Sequence, residues 1–425
     1  MKYLQKWRLL IVIALIVSLS GCGTKKESVS LIQEPLLSDK GQESIKEVLE
    51  TLLPAGSKYL TAENAIPKQS IIMEDIDGDG TKEAVILYSD TKENQQVHIL
   101  VLREIDGTWS KLSDTATGYN TLDYLKLSDL DHDGMLEIIT GLKMSDTTTD
   151  KQLFIYHLAK DTLVNDTIVN NTSDISYEWI EIADYDEDNK PDILLLKGEV
   201  GKSQIGELFR YEKGDVESIS SLELDPDGNH ENIVSGKLGD GKLALFIDSG
   251  LGAHSMLTEI ITYVDGRLVK VGDKEDRVLL KEYPLYSSDI NNDGIIEVGG
   301  MYIPKGYEEA AMAEIPFIYT YSDYKSDGSK KTIQQRYVEN SQNFYIIIPT
   351  EWYDKITPVK SENSLSLKDS EQEEILFEAK WIKKSNYKDT GTILGETTDT
   401  YFYTELKEPM AISPDNFHLL EEGFQ

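Results

Sequence analysis

Four stretches of this 425-residue chain place acids where a hard cation would need them. "DIDGDGTKE" at 75–83 sets Asp75, Asp77 and Asp79 on alternate positions, adds a glycine, and ends on Glu83 at the ninth place. "DLDHDGMLE" repeats the set with Asp129, Asp131, Asp133 and Glu137, and "DYDEDNKPD" with Asp184, Asp186, Asp188 and Asp192. "DINNDGIIE" carries Asp289, Asn291, Asp293 and Glu297. Calcium takes about 6–8 oxygen ligands at ~2.3–2.6 Å, chiefly from carboxylates and backbone carbonyls. A tight turn can aim positions 1, 3 and 5 inward and add the carbonyl of position 7 and the carboxylate of position 9. The carbonyls would come from Thr81, Met135, Lys190 and Ile295. Glycine at position 6 permits the positive φ that such a reversal needs. Asn189 stands there in the third loop, and asparagine also visits left-handed backbone.

Three of these loops are thus well formed for calcium, and the Asp289 loop, with its neutral Asn291, is expected to bind more weakly. Plain solvated Asp/Gly turns are the alternative. Against them stands repulsion: four carboxylates round one turn would force some to take up protons if no cation were bound. An EF-hand opens with the same acids but requires a bidentate glutamate at position 12 and flanking helices. Position 12 is Ile86, Thr140, Leu195 and Gly300, and the flanks read as strands. Closed loops at strand junctions couple metal to folding, so the expected role of calcium is structural.

The elements that must position these loops repeat with them. First positions 75, 129, 184 and 289 are 54, 55 and 105 residues apart, and the last gap is two periods. A degenerate copy, "GKLGDGKLA", begins at Gly236, keeps Asp240 and has lost the other acids, so no metal is expected there. Each loop leads into a short apolar run, such as "AVILYSD" or "ILLLKG", of the kind a buried strand needs. Pairs such as "VHILVLREIDGTWSKL" then signal hairpins. One unit is strand, acidic loop, strand and hairpin, about four strands in about 53 residues. Such a unit is what a β-propeller blade requires, because radial repetition leaves only short edges. The expected fold is mainly β: a propeller of about five four-stranded repeats, six or seven if flanking segments add blades.

The loops resemble those of the FG-GAP and VCBS repeat families, the calcium-binding propeller repeats also found in the integrin α-subunit head. The resemblance spans about 265 residues. It implies a propeller, calcium in the loops, and surface roles in adhesion or ligand binding.

The N-terminus bears on compartment. Lys2, Lys6 and Arg8 precede an apolar run and then "LSGC", which resembles a bacterial lipobox. Residues 1–21 read as a lipoprotein signal peptide, and the sole cysteine, Cys22, as its lipidation site. The mature chain would then be anchored to the bacterial cell membrane by lipid and face outside the cytoplasm. A polar tether over 22–42 and a helical lead-in over 43–69 precede the repeats at 70–340, and 341–425 reads as a small α+β domain ending in a helix. A formal charge of −34 excludes nucleic acid as the main partner.

Catalytic signatures are sparse. The chain contains no HExxH, GxSxG, P-loop or dinucleotide fingerprint, and its six histidines are scattered. "DSGLGAHSM" at 248–256 gathers Asp248, Ser249, His254 and Ser255, but proximity along the chain does not make a triad. The residues therefore favour a membrane-anchored, calcium-stabilised propeller that binds an extracellular protein or polysaccharide. The competing reading is an extracytoplasmic hydrolase of a cell-envelope polymer. A transporter's solute-binding subunit would call for two α/β lobes, which the acidic β-repeat opposes.

Overall fold

The computed structural model describes residues 40–65, 68–90, 95–166, 175–252, 254–273, 275–276, 278–406 and 412–420, with side chains from Ile45 onward. The leader and Cys22 lie outside the described residues. No helix among those described is long and apolar enough to cross a membrane. The described residues are mainly β, folded into six antiparallel sheets, and they divide into two units. The described residues up to 74 and 80–122 form the first unit, and 75–79 with the described residues from 123 onward form the second.

In the first unit a helix, Lys40–Leu52, covers one sheet. Ile45 and Leu49, four residues apart on one helical face, pack with Ile71, Ala84, Ile86 and Tyr88. The sheet's strands are Lys58–Tyr59, Ile71–Glu74, Glu83–Asp90, Gln96–Ile105 and Thr108–Ala116. The helical lead-in expected from the Ile45, Val48, Leu49 pattern is therefore present and covers this sheet.

In the second unit the sequence period becomes a period of sheets. The third sheet runs Trp179–Ala183, Asp192–Gly198, Gln204–Glu212, Asp215–Glu223 in spatial and chain order. The fourth runs Asn229–Lys237, Leu243–Gly252, Ser255–Val264, Arg267–Val271. Side chains alternate across a strand, so a strand buried on both faces serves two cores. Ile193 and Leu195 pack with Leu130, Ile139 and Ile155 of the second sheet's segment, whereas Leu194 and Leu196 pack with Leu245 and Ile247 of the fourth. Ala244 and Phe246, on the opposite face from Leu245, join Ile296, Val298 and Tyr324. Each central strand is thus shared between the sheet before it and the sheet after it. At roughly 25 cal/mol per Å² of apolar surface, such double burial is the main force holding neighbouring sheets together.

The C-terminal part departs from expectation. The boundary near 340 runs through a sheet, because Lys330–Glu339 pairs with Phe344–Ile347, which in turn pairs with Phe417–Leu419. The helix expected in "SPDNFHLLEEGF" is a 3-10 turn at Pro414–Asn416 followed by that strand. Ser413 does cap the turn, accepting from Asp415 N–H, but Phe417 then enters the core shared with Phe344 and Phe402, and pairing with a waiting strand edge overrides the helical start. The described residues after 340 form strands and 3-10 turns with no α-helix, so the segment is β rather than α+β. A sixth sheet, Ile356–Lys360, Ser364–Asp369, Ile375–Lys383, Thr400–Thr404 and Thr392–Glu396, packs its Leu365, Leu367 and Phe377 on the fifth sheet's Ile318, Tyr337 and Ile346.

Candidate metal centre

The Asp75, Asp129 and Asp184 loops each join two neighbouring strands, the Asp289 loop is flanked by the isolated bridge Ser288–Glu297, and all four carry left-handed backbone at position 6, with φ of 89° at Gly80, 89° at Gly134, 70° at Asn189 and 83° at Gly294. Asn189 therefore does the work expected of it. A second left-handed residue stands at position 4: Gly78, His132, Glu187 and Asn292, with φ between 60° and 71°. For non-glycine residues this costs about 1–2 kcal/mol each, so the loop must compensate through its own hydrogen bonds.

Those bonds recur in the loops that lie wholly in the second unit. The position-1 carboxylate accepts from the N–H groups of positions 5 and 6: Asp129 from Asp133 and Gly134, Asp184 from Asp188 and Asn189, Asp289 from Asp293 and Gly294, all at 2.9–3.2 Å. The position-5 carboxylate accepts from the N–H of position 7, which is Met135, Lys190 or Ile295, at 2.8 Å. The position-9 acid accepts from position 2: Glu137 from Leu130, Asp192 from Tyr185, Glu297 from Ile290. In the first loop Asp79 N–H donates to Asp77 at 3.2 Å.

The acids converge as a result. One carboxylate oxygen from each of Asp129, Asp131 and Glu137 lies within 4.8 Å of the others, and the same holds for Asp184, Asp186 and Asp192. Glu137 is nearly fully buried; burial pushes its pKa up to about 8, with the Leu130 N–H opposing and Asp131, Asp133 and Asp129 adding to the rise. Asp192 rises to about 6, through burial first and then Asp186. Asp131 is only 9% exposed. Its Oδ2 accepts from Lys213 N–H at 2.8 Å, and its Oδ1 is buried with no hydrogen-bond donor. An orphaned carboxylate oxygen beside a carboxyl whose pKa is raised, by burial first and then by neighbouring acids, is a donor set that suits a divalent hard cation.

The loops differ in how they manage negative charge, which the acidic pattern alone did not reveal. Two residue pairs inward from each hairpin turn stands a residue that can serve the loop of its own sheet: Arg103 opposite Ser110, His157 opposite Val164, Arg210 opposite Glu217, Thr262 opposite Val269. Arg103 Nε donates to Glu83 at 3.2 Å. Arg210 pairs with Asp186 and lies 4.0 Å from Asp188. His157 turns instead to Asp166, at 2.8 Å, and among the described residues no ion pair joins a basic side chain of this sheet to the Asp129 loop. The degenerate fourth loop has no acids to neutralise, and there the position is Thr262.

The Asp289 loop uses another device. Asn291 Nδ2 donates at 3.0 Å to both Asp293 and Glu297, so the amide that replaces a carboxylate stands in for part of the missing positive charge. Glu297 still rises to about 6, through burial, then Asp323 and Asp293 against the Ile290 N–H. Asp323, on the strand Ile318–Tyr324, is an acid near this loop that the repeat pattern did not reveal.

The residues of "DSGLGAHSM" do not form a triad. Asp248 is fully buried and is bonded to Asn232, Thr258 and Ser287, while His254 sits at the turn with its ring 5.6 Å from that of Tyr283.

No family model matches the chain, and no curated protein matches it. Among solved structures it is similar to the Bacillus licheniformis rhamnogalacturonan lyase PL11, at 14% identity over 64% of this chain and 50% of that one, with a TM-score of 0.35. The chain thus spans half the length of that enzyme. It is also similar to the rhamnogalacturonan lyases YesW and YesX, each at 13% identity over 82% of this chain and 72% of that one, with TM-scores of 0.29. Similarity at this level assigns neither family nor activity.

Proposed function

We propose that this protein is a membrane-anchored binding module outside the cytoplasm, in which serially stacked sheets form a calcium-stabilised propeller of the FG-GAP and VCBS kind. The lipobox-like "LSGC" supports the anchor, with Cys22 as lipidation site. Central strands shared between consecutive sheets support the propeller, since a blade must bury both faces. The observation that carries the calcium assignment is the Asp129 loop: three converging carboxylates, one with a buried oxygen lacking a donor, and among the described residues no ion pair to a basic side chain of its sheet. The four acid-bearing loops share left-handed backbone at positions 4 and 6, and the metal would fix strand junctions rather than meet substrate.

A binding role is preferred to hydrolysis because the carboxylates that converge are the ones engaged in loop scaffolding. Incubation of the full mature chain with purified envelope polysaccharides, followed by co-sedimentation and size analysis of the polymer, tests this. Retention of polymer at unchanged chain length is expected. Progressive shortening would replace the module with an enzyme.

A further inference from the structure

Away from the acidic loops, a cleft of about 620 Å³ opens between the fifth and sixth sheets, inside the second unit. One wall is aromatic: Tyr283, Phe317 and Tyr319 are each half-buried, and the Tyr283 and Phe317 rings meet edge to face at 5.7 Å. Tyr283 also meets the His254 ring at 5.6 Å, so the three aromatic side chains line the cleft as one braced wall. Met312, 41% exposed, and the carboxylate of Glu314 stand at the rim on a 3-10 turn that buries none of its own residues.

The opposite side is polar and fixed. Glu339 is 4% exposed and fully engaged: it accepts from Lys360 Nζ at 2.7 Å, from Ser341 N–H and hydroxyl at 3.1 and 2.6 Å, and from Tyr337 hydroxyl at 3.1 Å. Burial alone would raise its pKa, but Lys360 and Ser341 hold it below the ordinary glutamate value. It is therefore a locked acceptor, unable to act as a general acid, and Lys360 is neutralised by it.

We propose that this cleft binds a neutral oligosaccharide, with Tyr283 and Tyr319 as stacking platforms and Glu314 as acceptor for sugar hydroxyls. The volume lies within the roughly 300–1,000 Å³ of small-ligand sites. A pyranose ring offers C–H groups on its faces and hydroxyls around its edge. The faces match the negative π-faces of aromatic rings, and the edge matches the polar wall. An anionic sugar is disfavoured, because Lys360, the cation that lines the cleft among the described residues, is already paired and the chain carries a formal charge of −34. A wholly apolar ligand would cover the exposed Glu314 carboxylate and Asn340 amide, which also line the cleft, without offering them hydrogen bonds. This assignment names the ligand class of the binding module and rests on that reading, but it is independent of calcium in the loops.

The test is calorimetric titration of the full mature chain with neutral gluco-, manno- and N-acetylglucosamine oligomers, with oligogalacturonate as the anionic control and an aromatic-rich peptide as the protein-like control. Saturable binding of a neutral oligomer is expected, weakened at least tenfold in both Tyr319→Ala and Glu314→Gln. Glu314→Gln changes an exposed residue and keeps the fold accessible if the tyrosine variant does not. Melting curves run in parallel in calcium separate loss of the cleft from loss of the fold. No binding to any neutral oligomer, preference for oligogalacturonate or the peptide, or affinity unchanged in Glu314→Gln would overturn the proposal. None of these results would touch the calcium loops.

Discussion

Arg210 reaches from its strand to the carboxylate of Asp186 and stands 4.0 Å from Asp188, so the third loop carries a cation of its own. Asp186 is 8% exposed on its side chain and Arg210 37%, which places the pair at the margin between a buried and a surface ion pair. Replacing Arg210 by methionine is expected to lower stability in EDTA by about 1–2 kcal/mol, less than the ~3–5 of a fully buried pair. The same variant should gain more from calcium than the wild type, because the metal then has no competitor at Asp186 and Asp188. Denaturant unfolding with and without calcium measures both changes.

The Asp129 loop should behave in the opposite way. Asp131→Asn or Glu137→Gln relieves repulsion among the acids, so metal-free stability should hold or rise slightly. Calcium stoichiometry should fall by one site. Equilibrium dialysis or a luminescent lanthanide titration would count the sites directly.

Asn189 at φ 70° provides a backbone test. Asn189→Gly should be neutral or slightly stabilising, and Asn189→Val should cost about 1–2 kcal/mol, because a branched side chain resists left-handed backbone. Thermal melts of the two variants against wild type give the comparison.

A buried pair in the fourth sheet sets a pH dependence. Lys281 is fully buried 3.8 Å from Asp248 and donates to the carbonyls of Leu285 and Gly299. Burial lowers its pKa from 10.5 to about 8, against the pull of Asp248. Between those values the unfolded chain holds a proton that the folded chain has released, so stability from this group rises with pH across that window. Relative to Lys281→Met, wild-type stability should climb by on the order of 3 kcal/mol from pH 8 to 10.5. Chemical denaturation at intervals across that range reads the slope.

The acidic loops were legible because their constraint is local. Backbone reversal demands glycine or asparagine at position 6, and convergence demands acids at fixed offsets, so both are written in nine consecutive residues. The charge management was not legible, because Arg210 lies 18 residues beyond Asp192 and reaches the loop only when the hairpin folds back. A basic or small polar residue two pairs before each hairpin turn was the available signal. The left-handed position 4 was hidden because His132, Glu187 and Asn292 share no side-chain chemistry. The C-terminal error has a similar cause: "SPDNF" contains a helix cap and a helix-starting proline, but the strand Phe344–Ile347 offers Phe417 a pairing edge that no local pattern encodes.

The most direct measurement is the melting temperature of the full mature chain in millimolar calcium and in EDTA, with Asp131→Asn alongside. A ligand at about 100 times its Kd adds ~2.7 kcal/mol of stability, and at ~2–4 °C per kcal/mol for domains of this size the wild type should melt at least about 5 °C higher in calcium. The gain should shrink in Asp131→Asn. Identical melting of the wild type in calcium and in EDTA would contradict calcium in these loops.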